Sequence, residues 1–398
     1  MTSESSLSIC VADVPSSSSM ILKDRVMRIL KTSALVLTLM LIVSIHPCAS
    51  AAETELEIQS VNARQTQVEG ARGAALAVGT NGTLYLGGGE RGDTLFAYQG
   101  GNISPLGTIS TQSERLRDSR FGPTDVAILK ETSAEVHLLI SYPQLDAEKR
   151  CVRLVAFRYT LSQETVSTNR LTKQEQWFEG KPCVPVGAVQ HAAGRIEVID
   201  KNSAYITTGD LGFRSIDDRG ARGWLGGVFR ITKERTRQIS QGHRNPQGIL
   251  RIGKSLFISE HGPRGGDEIN LIENGKDYGW PFVTLGEPYS AGDYVQPRSA
   301  GTHSGYAKPL ISWVPSVAPT ELVRLPRVPQ WGDRGGLIVM GTLAEESLLF
   351  IERTSKKKMK EVDRHFIGER IRDLEVGANG EMIATTDSGK VLFISRKG

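Results

Sequence analysis

The feature that most constrains this chain is one pattern repeated six times: a short apolar strand, a turn, a second apolar strand, then a polar or glycine-bearing loop. The units occupy residues 75–89, 124–142, 194–210, 248–262, 321–343 and 374–389. They recur at roughly 50 to 70 residues, a spacing that suggests the blades of a β-propeller. The 42 glycines suit short strands joined by turns. Helical spacing of apolar residues is poor throughout 52–398, and a single turn over 362–371 lacks it too. Polar runs at 144–149 and 164–179 read as loops between strands. No composition break marks a linker, so residues 52–398 read as one domain. A formal net charge of +4 gives no ground for expecting a nucleic-acid partner.

Residues 1–51 read as a leader. Lys23, Arg25, Arg28 and Lys31 precede an apolar run over 32–45 and a small-residue site at 49–51. That order describes a secretory signal peptide cut after Ala51. The apolar run is shorter than the roughly 20 residues a spanning helix needs, and an uncleaved anchor is the alternative. Export to the periplasm or medium is the expected localisation. Cys151 and Cys183 then remain in the mature chain, in a compartment that permits a disulfide. Sequence leaves their pairing open, because it does not supply the Cα separation.

Chemistry-bearing residues are densest over residues 242–281, with eight glycines and three prolines. Apolar runs at 248–252 and 255–259, joined by Gly253 and Lys254, read as a strand pair with a tight turn. The polar loops on either side fall at one end of that pair, where function concentrates. Three strings stand out: RNPQG at 244–248, SEHGPRGGDEIN at 259–270 and YGWP at 278–281. In these strings the chain resembles the soluble quinoprotein aldose sugar dehydrogenases, the family of soluble glucose dehydrogenase. The resemblance is strong over 190–281, moderate over 313–395 and weak before 183. It implies a six-bladed, all-β propeller that uses pyrroloquinoline quinone (PQQ) and calcium.

Residue by residue, the resemblance carries further expectations. His191, in QHAAGR at 190–195, matches the family's catalytic base, and an imidazole titrating near neutrality suits proton removal from a sugar hydroxyl. Arg244 and Asn245 match cofactor contacts; a permanently charged, planar guanidinium suits quinone oxygens or carboxylates. The carbonyls of Gly262 and Pro263 match ligands of the calcium that touches the cofactor, a hard ion that takes about six to eight oxygens. Asp267 and Ser316 match residues of the cofactor shell. Glu268 and the Tyr278 carbonyl match a second, structural calcium site. Arg370 and Arg372 lie two apart in ERIRD at 369–373, on one face of an extended segment, placed to grip carboxylates.

The chain also departs from the pattern. Ala344 stands where the family has a cofactor-pairing lysine, and Asp125 is no clear match for the family's acid or amide near the substrate. One lost charged contact is worth about 1.5–3 kcal/mol of affinity. The expected activity is oxidation of an aldose to a lactone, with a sugar substrate, an unidentified electron acceptor and a homodimer as the partners. Two alternatives share the fold: a non-catalytic calcium-binding propeller that binds glycan or protein, and a quinone-free lactonase.

Overall fold

Each of the six units supplies the two inner strands of one blade in a six-bladed β-propeller. The computed structural model describes residues 55–163, 170–188, 191–290 and 295–397. The leader over 1–51 lies outside them. In chain order, the innermost strands are Ala75–Val78, Asp125–Glu131, Ala193–Asp200, Pro246–Ile252, Pro319–Arg324 and Ile371–Val376, and they neighbour one another around a ring. The second strands of the blades, flanked by strands on both sides, are covered on both faces and read as near-continuous apolar runs. Leu84–Gly88 and Ile338–Thr342 are buried throughout. Outermost strands face solvent on one side and alternate instead, as Lys358–Phe366 does. That difference explains two departures from the sequence reading. Leu171–Glu179, read as part of a loop, is the outer strand of blade 2, its polar residues facing out. Residues 362–366 continue an outer strand of blade 5, with no helix there.

The ring is closed by the start of the described chain. Leu56–Asn62 pairs antiparallel with Lys390–Arg396 and becomes the outer strand of blade 6. The strand pair read around Gly253 and Lys254 is present, with Ile252 opposite Ser255 across the two-residue turn. Cys151 and Cys183 form a disulfide with a Cα separation of 5.5 Å, tying the third strand of blade 2 to the segment that leads toward His191.

Carboxylates latch the inner strands to one another. Asp125 accepts the amide of Ile196 (2.6 Å), Glu321 that of Ile249 (2.7 Å) and Asp373 that of Leu76 (2.8 Å). Each bond joins the inner strands of two neighbouring blades. Arg195 inserts among all three acids, donating from Nε to Glu321 (2.6 Å) and from Nη1 to Asp373 and the Thr124 carbonyl (both 3.1 Å). One guanidinium thus faces three buried carboxylates. Burial pushes Asp125 well above the usual carboxylate range and Glu321 up to about 7. For Arg195, burial opposes the charge but the three carboxylates outweigh it.

Candidate active site

Inner strands of successive blades all begin at the same mouth of the ring, so residues just before each one gather there. His191 precedes the inner strand of blade 3, Arg244 and Asn245 that of blade 4, and Arg370 that of blade 6. The loop over 261–266 returns to the same mouth between the second and third strands of blade 4.

His191 is set by a tight backbone. Its φ is +51°, a left-handed conformation that costs a non-glycine residue about 1–2 kcal/mol. Its carbonyl packs against Gly209, where an added Cβ would stand 1.7 Å from that oxygen, so only glycine fits. The next residue, Asp210, accepts a hydrogen bond from His191 Nδ1 (2.8 Å) and from the Gly212 amide (2.8 Å). Its other oxygen accepts from the Trp280 indole (2.9 Å). Asp210 therefore fixes the ring as the Nδ1–H tautomer and leaves Nε2 as an acceptor at the mouth. Burial lowers the His191 pKa, Arg244 lowers it further, and Asp210 only partly offsets them. The ring is neutral at neutral pH, the form a general base requires. For Asp210, burial opposes the charge, but His191 and Arg244 outweigh it and hold the carboxyl below its ordinary range.

Arg244 joins the base to the glycine loop. Nη2 lies 3.2 Å from His191 Nε2, and Nη1 donates to the Gly262 carbonyl at 2.7 Å. The guanidinium stands over the Trp280 ring, 5.4 Å from its centre. Tyr289 donates to the Pro263 carbonyl (2.8 Å) and lies 3.4 Å from Arg244 Nη2. The two carbonyls expected to hold a cation therefore accept hydrogen bonds from Arg244 and Tyr289, the first of which also meets the base. Asn245 is buried at the entry to its strand and takes the Gln247 amide on its side-chain oxygen (2.9 Å).

Asp267 and Ser316 lie together beneath this loop. One Asp267 oxygen accepts the Gly262 amide (3.0 Å); the other accepts Ser316 Oγ (2.6 Å) and the amides of Val317 and Ala318 (2.8 Å each). The carboxylate braces two loops of the mouth. The path runs on, because Leu343 donates its amide to the Ala318 carbonyl (2.9 Å) and accepts Arg370 Nη1 on its own carbonyl (3.1 Å). A continuous chain of hydrogen bonds thus runs along the mouth from His191 to Arg370. Arg370 and Arg372 both bind Asp387, Arg372 through two bonds of 2.8 Å.

Glu268 and Tyr278 belong to a second, buried site. They line a cavity of about 20 Å³ together with Glu260 and His303. His303 bonds one Glu268 oxygen (2.6 Å), and Asn270 Nδ2 donates to Glu268 (3.1 Å) and Glu260 (2.8 Å). Asn270 Oδ1 is buried and, among the described residues, has no hydrogen-bond partner. Glu260 and Glu268 bring carboxylate oxygens, the ligand type calcium takes, to this water-sized space, but among the described residues no three or more His, Cys, Asp or Glu are grouped as a metal site. The cationic Arg370–Arg372 pair fits a polycarboxylate such as PQQ.

Sequence reading missed several residues that complete the site. Asp210 ends a repeat unit, and its place at a strand exit beside a glycine was the available signal. Trp280 stands inside a quoted motif but had no role. Tyr289 follows in an irregular loop with no local signature. Arg72 and Asp387 flank the inner strands of blades 1 and 6 and are recognised only once the ring closes.

A six-bladed propeller whose mouth carries a histidine–aspartate pair beside a glycine-rich loop is the class this geometry defines. A family model described as Glucose / Sorbosone dehydrogenase matches residues 107–393, and the chain belongs to that family. The resemblance read from the sequence is borne out. The aldose sugar dehydrogenase YliI of Escherichia coli is 34% identical over 167 residues, 39% of this chain and 43% of YliI. An uncharacterised protein of Synechocystis is 28% identical over 260 residues, 58% of this chain and 61% of that protein. The matched regions thus span less than two thirds of these relatives. The apo soluble aldose sugar dehydrogenase of Escherichia coli superposes with a TM-score of 0.69 at 23% identity, covering 86% of this chain and all of that one. The PQQ-bound aldose sugar dehydrogenase of Streptomyces coelicolor gives 0.62 at 22%, covering 86% and 99%. At such identities these two show the shared fold.

Proposed function

We propose that this protein is an exported, PQQ- and calcium-dependent aldose dehydrogenase that oxidises a sugar to its lactone. The observation that carries the reading is the hydrogen-bonded line from Asp210 through His191 and Arg244 to the Gly262 carbonyl. Base, guanidinium and metal-type carbonyls meet in one place. The family membership and the PQQ bound in the Streptomyces coelicolor structure support the same conclusion.

Bound PQQ supplies the acceptor for the hydride that leaves the anomeric carbon. His191 Nε2 takes the hydroxyl proton, while Asp210 holds the ring in orientation and stabilises the imidazolium that results. Trp280 anchors Asp210 through its indole N–H. Arg244, Asn245, Arg370 and Arg372 would hold the cofactor, and Asp267 and Ser316 would keep its walls in register. Gly262 and Pro263 would bind the calcium beside it through their carbonyls; Glu268 and Tyr278 would hold a structural one. An electron acceptor outside the chain, in the periplasm or medium, would be needed to complete the turnover.

Reconstitution of purified protein with PQQ and calcium should give aldose-dependent dye reduction. His191→Ala should lower kcat by about 10²–10⁴-fold, the usual worth of a positioned base. Absence of both quinone binding and turnover across several aldoses would contradict the proposal. One residue favours a second reading, a calcium-binding propeller without catalysis: Ala344, in place of the family lysine, weakens the case for a tightly held cofactor. Lactone hydrolysis without quinone would instead select the lactonase.

A further inference from the structure

We propose that Arg72 is the third arm of a carboxylate clamp that it forms with Arg370 and Arg372. Arg72 ends the segment that enters the inner strand of blade 1, beside the start of the inner strand of blade 6. The next residue, Gly73, shows how close the two approach. Its amide bonds Asp387 (3.0 Å), and a Cβ there would lie 3.0 Å from Arg372 Cβ and 2.5 Å from the Thr386 carbonyl. Glycine is therefore required, and it brings Arg72 close to Arg372, which shares Asp387 with Arg370.

The charges in this corner do not balance. Asp387 receives both Arg370 and Arg372. Arg72 forms one hydrogen bond, from Nη2 to the Pro123 carbonyl (3.1 Å), and its Nε is buried with no partner among the described residues. Three guanidiniums thus share one adjacent carboxylate. Burial and then the neighbouring Arg372 push the Arg72 pKa down to about 9, with Asp387 and the deeper Asp373 only partly offsetting them. A half-buried cation held close to Arg372, with its Nε donor unanswered among the described residues, is organised for an anion that joins the pair. The spread of the three arms across the seam between blades 6 and 1 suits a rigid ligand with several carboxylates better than a single small anion. The clamp rests on the quinone reading only for the identity of that ligand.

The test separates the two claims. Wild type, Arg72→Gln and Arg72→Lys, each as full-length protein, are titrated by calorimetry with PQQ plus calcium and with benzene-1,3,5-tricarboxylate, which has no quinone. Glutamine keeps a donor for the Pro123 carbonyl, so it removes the charge more than the strut. Arg72→Gln should weaken both ligands by about tenfold to a hundredfold, the worth of one charged contact, and Arg72→Lys by less. Thermal unfolding without ligand should be unchanged or shifted upward in Arg72→Gln, since a mutual repulsion is lost; a purely structural arginine would shift it down and leave affinity intact. Equal affinities in wild type and Arg72→Gln overturn the clamp while the quinone reading stands. Binding of the tricarboxylate but not PQQ, weakened by the substitution, keeps the clamp and ends the quinone reading. Binding of neither ligand by wild type ends both. If Arg72→Gln does not fold, the Arg72→Lys titration decides by the same comparison.

Discussion

At Asp210 a single oxygen sets the tautomer of His191. That oxygen, on His191 Nδ1, determines which ring nitrogen is left to accept a proton. Asp210→Asn would let the amide satisfy Nδ1 from the donor side and turn the free tautomer the wrong way. We expect kcat to fall by about 10²–10⁴-fold with PQQ affinity unchanged, measured by steady-state kinetics beside a binding titration. The pH dependence follows from the direction of the His191 shift. Its pKa lies below the ordinary 6.5 because of burial and then Arg244. The active, neutral form therefore persists below pH 6.5, and the acid limb of the rate profile should fall there. Arg244→Gln removes one of the lowering causes, so the limb should move to higher pH; an NMR titration of the His191 ring checks the sign independently of turnover. Ala344 belongs to this scale too, since its methyl group offers a ligand no charge.

Much of the site's first layer was legible because its residues lie within one stretch of chain. His191, Arg244, Gly262 and Pro263 are each a few residues from a strand start, and the repeated units showed where strands start. Asp210, Tyr289 and Arg72 were not legible, because their partners are 19, 45 and 51 residues away in sequence and meet only through the ring.

At the scale of the element, inner strands announced themselves and outer strands did not. Burial on both faces writes an unbroken apolar run into the sequence; the solvent side of Leu171–Glu179 writes polar residues that imitate a loop. The leader over 1–51 stays an expectation of the sequence. The disulfide acts at this scale. It closes a span of 32 residues between a blade 2 strand and the segment leading into His191. On the chain-entropy account such a loop contributes about 3–4 kcal/mol. Cys183→Ser should lower the denaturant midpoint accordingly, with little change in the slope, and hydrogen exchange should rise in the segment before His191. Unchanged stability would assign the bond no part in holding that segment.

At the scale of the whole molecule, closure and the axial charge cluster hold the ring. Arg195 is the counter-charge for Asp125, Glu321 and Asp373 together. Arg195→Met should destabilise by about 3–5 kcal/mol, the cost of leaving buried carboxylates unpaired. The cluster also sets a pH dependence. The Glu321 carboxyl titrates near 4.5 when unfolded and at about 7 in the fold, pushed up first by burial. A raised folded value means that its contribution is complete below pH 4.5 and is lost as pH rises to about 7. Stability attributable to this group should therefore fall across that window, followed by urea unfolding at several pH values. In Arg195→Met, which removes a charge that lowers the Glu321 value, the loss should extend above pH 7. A flat profile would contradict the picture of a proton held at the axis.

The central claim is that one mouth of this ring holds a quinone against the His191–Asp210 pair and reduces it with sugar. Single-turnover spectroscopy tests it most directly: load the protein with one equivalent of PQQ and calcium, mix it with an aldose without any electron acceptor, and follow the quinone absorbance. The account predicts reduction of the bound quinone in wild type, and in His191→Ala equal loading but reduction slowed by at least about a hundredfold. Quinone that binds wild type yet stays oxidised with every aldose tried, or is reduced equally fast in His191→Ala, would contradict it.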